Sequence, residues 1–130
     1  ITHGRICAEA LRAKELLSGD GIRVRTILCE FLKPYTELAR QVAPLIPASP
    51  GTVLFLEEEI RAGGFGMLLS DRLAAYPVMQ NKTVCIMATD DNFVFPEKGQ
   101  NVYEAAGVSA EQIADRIRMC VSAQKEKKQS

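Results

Sequence analysis

The residue types with the most chemistry open to them stand in one stretch, Leu54-Phe55-Leu56-Glu57-Glu58-Glu59-Ile60-Arg61-Ala62-Gly63-Gly64-Phe65-Gly66. Glu57, Glu58 and Glu59 could hold a general acid or base. Gly63, Gly64 and Gly66 allow positive φ and close backbone approach, so the turn could cradle a phosphate where a helix begins. It lacks the Lys-Ser/Thr of a P-loop and the full GxGxxG of a dinucleotide site, which makes the phosphate signal unspecific. A structural reading therefore leads. The glycines let the helix start close to the sheet or let a neighbouring domain approach, and the carboxylates suit the positive end of the helix dipole. Turn geometry alone does not supply a site.

Other side chains carry single, unsupported signals. His3, the only histidine, stands at the carboxyl end of a strand, where ligands of open α/β sheets gather, and could act as a base. With no Cys, Ser or acid near it in sequence, it reads first as a solvent-facing or hydrogen-bonded turn residue. Arg23 and Arg25 could grip an anion but read as the water-facing side of a strand, and Lys33 offers charge without local support. Asp90 and Asp91 lack a third metal ligand at fixed spacing, and turn chemistry explains them. Cys7, Cys29, Cys85 and Cys120 are widely spread with no CxxC pair, which points to reduced core thiols in a cytoplasmic protein rather than a zinc or disulfide framework.

The elements that must position these residues follow from periodicity. Residues 52–56 predict a buried central strand, and 66–75 a helix after the glycine turn. Residues 5–17 predict a helix whose Ile6, Ala10, Ala13 and Leu17 share a face. Residues 22–28 and 83–88 predict strands, 36–42 a short helix, 93–95 a last edge strand before Pro96, and 100–106 a short helix ended by Gly107. Ser109-Ala110-Glu111-Gln112 is a capping box that opens a final helix striped by Ile113, Ile117, Cys120 and Val121. Residues 124–130 read as a polar, frayed tail. The alternation of strand and helix implies a three-layer α/β domain with a mostly parallel sheet.

At 130 residues the chain is expected to be one domain, 1–130. Sixteen basic and sixteen acidic residues cancel, which removes the electrostatic term that dominates nucleic-acid binding. No apolar run is long enough for a membrane span. The sequence opens at Ile1 in what reads as the end of a strand, so the chain is expected to be a fragment of something longer.

Several stretches together resemble the C-terminal domain of the transketolase family of thiamine-diphosphate enzymes, most of all its deoxyxylulose-phosphate synthase branch. They are Ile1-Thr2-His3-Gly4, Phe31-Leu32-Lys33-Pro34, Glu57-Glu58 with Ala62-Gly63-Gly64-Phe65-Gly66, Asp91-Asn92-Phe93-Val94, and Glu104-Ala105-Ala106-Gly107-Val108 with Ile113-Ala114-Asp115. One departure is the run Phe95-Pro96-Glu97-Lys98-Gly99, where the synthases commonly place His-Gly or Gln-Gly. A relative acting on another ketose phosphate or 2-oxo acid therefore stays open.

The resemblance implies a mixed five-stranded sheet with one antiparallel strand, covered by helices on both faces. It implies a parent transferase that uses thiamine diphosphate and magnesium, held between two preceding domains, to make an isoprenoid precursor from pyruvate and glyceraldehyde 3-phosphate. The C-terminal domain would then be non-catalytic and serve domain packing and homodimer contacts, with no catalytic, cofactor-binding or metal residue of its own. Glu58, Gly63, Gly64, Phe65 and Gly66 would serve turn structure or interdomain contact. Its partners would be the cofactor-binding domains, on the same chain or a partner subunit, with no nucleic acid and no membrane. The alternative is a stand-alone regulatory α/β module that binds a phosphate or nucleotide at the Gly63, Gly64 and Gly66 turn.

Overall fold

In the computed structural model, which describes residues 1–130, the apolar middle of one long strand, β3 (Gly51–Ile60), divides two cores. Successive strand side chains point to opposite faces. Val53 and Phe55 enter a cluster with Leu38, Ala39 and Val42 of α2 (Tyr35–Val42) and with Leu69 and Leu73 of α3 (Phe65–Leu73). Leu54 and Leu56 face a cluster built from Ala13 and Leu17 of α1 (Cys7–Gly19) and Ile113 and Ala114 of α5 (Ala110–Gln129). The result is the expected three layers.

The sheet order is β2-β1-β3-β4, where β1 is Thr2–His3, β2 is Leu28–Cys29 and β4 is Lys82–Thr89. All three pairings are parallel, with Thr2 opposite both Leu28 and Leu56, and Gly51 to Leu56 running beside Lys82 to Met87. Two short 3-10 turns, Ala43–Leu45 and Pro77–Met79, lead into β3 and β4, and a four-residue helix α4 (Val102–Ala105) precedes α5. No helix is long and apolar enough to cross a membrane.

The sheet differs from expectation in detail. It has four strands and no antiparallel member, because residues 93–95 form no strand. Phe93 and Phe95 are 88% and 80% exposed, so the segment has no buried face to hold it against β4. Of residues 22–28 only Leu28 is in a ladder, since β1 offers just Thr2 and His3 for pairing. α5 runs to Gln129, through most of the polar tail, with Lys127 and Lys128 in its last turn where cations suit the helix dipole. The Ser109 capping box forms as read, with Gln112 N–H donating to Ser109 Oγ and Ser109 N–H donating to Gln112 Oε1.

Candidate functional site

The carboxylates do not end β3; the strand runs through them to Ile60. Leu56 pairs with Met87 and Ile60 with Thr89, so four steps on β3 stand against two on β4. Glu57 keeps to the face of Val53 and Phe55, as strand alternation requires. Glu57 turns inward, fully buried, and its Oε2 accepts a 2.7 Å hydrogen bond from Gly66 N–H in the first turn of α3. Gly64, the N-cap, has no side chain to cap with, and Glu57 satisfies this helix end from the neighbouring strand.

The glycine turn is moulded around that carboxylate. A Cβ on Gly64 would lie 2.3 Å from Glu57 Oε1 and 2.5 Å from the Ile60 carbonyl oxygen. A Cβ on Gly66 would lie 2.9 Å from Ile86 Cγ2 and 3.2 Å from Phe55 Cβ. Gly63 has open space but a φ of +69°, a region L side chains rarely adopt.

The neighbouring carboxylates point elsewhere. Glu58 accepts from the Tyr103 hydroxyl at 3.1 Å and lies 3.8 Å from Arg5 Nε, tying β3 to α4 and to the turn after β1. Glu59 Oε2 lies 3.3 Å from His3 Nε2. The His3 ring is edge-on to Phe65 with centroids 4.5 Å apart, and its side chain is only 12% exposed. His3 is thus neither the solvent-facing nor the hydrogen-bonded turn residue expected: it ends β1 and is covered by Phe65 at the start of α3.

Burial pushes the Glu57 carboxyl above its ordinary range; the Gly66 N–H opposes this and the charge of Glu59 adds to it. Tyr103 is raised by burial and then by its bond to Glu58, and Tyr35 by burial and then by the charges of Glu57 and Glu59. Glu57 Oε1 and His3 Nε2 are both buried without a hydrogen-bond partner.

The fold therefore brings His3, Glu57, Glu58, Glu59 and the glycine turn together at the carboxyl end of the sheet. Others stay apart. Arg25 donates to the Leu45 carbonyl at 3.0 Å, far along the chain from the cluster, and Arg23 and Arg25 line a cleft of about 340 Å³ with Gly51 and Thr52 at the start of β3. Lys33 lies on an open surface beside Tyr35 and Arg72. Asp90 and Asp91 are exposed, in a turn closed by Asn92 N–H donating to the Asp90 carbonyl at 2.8 Å. All four cysteines are free. Arg5 and Tyr103 join the cluster without any signal in the sequence, since each reaches it from a separate element.

This arrangement does not suit a phosphate or the diphosphate of thiamine diphosphate. The Gly66 amide that would bind the anion is taken by Glu57, and an anion there would face the charges of Glu58 and Glu59.

Residues 1–113 match the family model described as transketolase, C-terminal domain. The chain is 33% identical over 115 residues to the 1-deoxy-D-xylulose-5-phosphate synthase of Syntrophotalea carbinolica, a match covering 88% of this chain and 17% of the synthase. It is 30% identical over 119 residues to the enzyme of that name from Chlorobium phaeovibrioides, covering 92% and 18%. The corresponding protein of Geobacillus thermodenitrificans is 28% identical over 120 residues, covering 91% and 18%. The chain thus spans less than a fifth of the length of these curated relatives.

Proposed function

The chain belongs to the transketolase C-terminal domain family, and from that premise we propose that it serves as the C-terminal domain of a thiamine-diphosphate-dependent transferase of the deoxyxylulose-phosphate synthase type. The observation that carries this reading is the likeness, over 88–92% of the chain, to synthases from several bacteria. The parent would join pyruvate to glyceraldehyde 3-phosphate in the cytoplasm, with thiamine diphosphate and magnesium bound by other domains. This domain's part is to pack against those domains and to support a homodimer, not to carry the reaction.

The internal use of its polar groups agrees with that role. Glu57 anchors α3, and Glu58 ties β3 to Tyr103 and Arg5. Glu58, Gly63, Gly64, Phe65 and Gly66 then hold a firm turn against which a neighbouring domain can rest. A separate phosphate-binding module finds no support, because the amide it needs is occupied by Glu57.

Two measurements test the proposal. The source DNA read upstream of Ile1 should continue in frame through a Gly-Asp-Gly segment followed by an Asn, the magnesium-diphosphate grip implied by the family resemblance. A start codon within a strand's length of Ile1 would overturn it. Calorimetry of the 130-residue chain with thiamine diphosphate and magnesium chloride should give no binding heat; micromolar binding would move the cofactor onto this domain and sink the assignment.

A further inference from the structure

We propose that His3, Glu57 and Glu59 form a binding site for a divalent cation of the zinc class at the carboxyl end of β1 and β3. The three side chains offer one imidazole nitrogen and two carboxylate oxygens, all within 4.8 Å of one another. Zinc sits about 2.0–2.2 Å from such ligands, so the ligand atoms around it lie within roughly 4 Å of each other. Shifts of under about an ångström close the set. Glu59 can make that movement, because its side chain is 50% exposed at the mouth of the cluster.

Proximity of acidic groups would not by itself make a site. The independent observation is that Glu57 is fully buried, yet its Oε1 has no hydrogen-bond partner, and that His3 Nε2, also buried, has only Glu59 Oε2 near it, at 3.3 Å and out of hydrogen-bond geometry. Buried polar atoms are nearly always satisfied in folded proteins, and a cation bound among these side chains would satisfy them. It would also offset the repulsion between the two carboxylates.

Both inner ligands are already oriented. Gly66 N–H holds Glu57 by its other oxygen at 2.7 Å, and Phe65 sets the plane of the His3 ring. Outer contacts of this sort fix ligands in metal sites. The nearby Arg61 guanidinium does not fill the place of the cation, since it donates to the carbonyl of Ile86.

The donor set chooses among ions. Imidazole suits zinc and its neighbours, whereas magnesium and calcium prefer oxygen alone. Three protein ligands leave a fourth position, on the Glu59 side, for water. The proposal stands on the side chains of this chain and is independent of which parent carries the domain.

The test uses the 130-residue chain stripped of metal by a chelator. Zinc chloride followed by calorimetry should give one ion per chain and a rise in Tm, with a tenfold excess of magnesium chloride failing to compete. Glu59→Gln alters an exposed side chain, and should weaken zinc binding by at least about tenfold while leaving the metal-free Tm near that of the wild type. His3→Asn should do the same to the affinity. Cobalt chloride loaded in place of zinc should give a spectrum without thiolate charge-transfer absorption. Absence of zinc binding, undiminished binding in Glu59→Gln, or a thiolate band placing the ion on cysteine would each overturn the site.

Discussion

Three glycines that look alike in sequence carry different constraints. At Gly64 an added methyl meets a buried carboxylate oxygen and a backbone carbonyl, neither of which can withdraw without breaking the end of β3. Gly64→Ala should therefore cost about 3 kcal/mol or more of unfolding free energy. At Gly66 the obstacle is the flexible Ile86 together with Phe55 Cβ, and the loss should be about 1–3 kcal/mol. Gly63→Ala meets nothing and loses only the positive φ, about 1–2 kcal/mol. Urea unfolding of the three variants should give that order, and equal losses would show the turn to be looser than described. Glu57 adds a pH dependence. Its folded pKa is raised, so below the ordinary value of 4.5 both states hold the proton, and above it the unfolded state releases a proton that the folded state keeps. That drains stability as pH rises, until the folded pKa is passed. Glu57→Gln lacks the effect, so its stability relative to wild type should improve from about pH 4.5 upward through that window; denaturant midpoints at a series of pH values would reveal it. The glycine run was legible in sequence as a helix-opening turn, but which of Glu57, Glu58 and Glu59 turns inward was not. The carboxylates read as the end of the strand, whereas the strand continues through them, and alternation then puts Glu57 on the face of Val53 and Phe55 against α3 and Glu58 on the face of Leu54 and Leu56.

Elements whose signals are local were legible, and those that need a partner were not. The capping box of α5 is written in four consecutive residues and forms as written. A second anchor of the same helix start comes from α1: Glu9, nearly buried, accepts from Ala110 N–H at 2.7 Å and from Arg12 at 3.0 Å. Helical spacing puts Glu9 on the face of Ile6, Ala13 and Leu17 and Glu15 opposite it, but what Glu9 bonds was not legible, because its partner lies 101 residues away. Ser109→Ala should cost about 1 kcal/mol. Glu9→Ala should cost more, about 1–3 kcal/mol, since it strips a buried N–H of its acceptor and loosens the contact between α1 and α5. Chemical denaturation of both variants checks the ranking, and a milder loss in Glu9→Ala would mean that water replaces the carboxylate. The same logic explains residues 22–27 and 93–95. Their β-forming composition was readable, but a strand exists only where a ladder partner and a buried face exist as well.

For the whole molecule, Phe93 and Phe95 pose the sharpest question. Both cores are complete without them: Leu69 on one side of the sheet and Leu17 on the other are fully buried, while these two rings stand in solvent with centroids 6.1 Å apart. Sequence composition assigned them to the sheet because aromatic residues flanking a valine read as a strand, whereas in the structure they pair with no strand and bury neither ring. Side chains this exposed hold little of the folding free energy, yet they present a paired aromatic surface that favours self-association. The double variant Phe93→Ser and Phe95→Ser should thus unfold within about 0.5 kcal/mol of wild type in urea. Light scattering at high protein concentration should show less association. By contrast Leu17→Ala or Leu69→Ala should each lose about 2–5 kcal/mol, being buried on opposite faces. If the aromatic pair proved as costly to remove as either leucine, the segment would have to fold back onto the sheet in solution, and the edge of β4 would be covered rather than open.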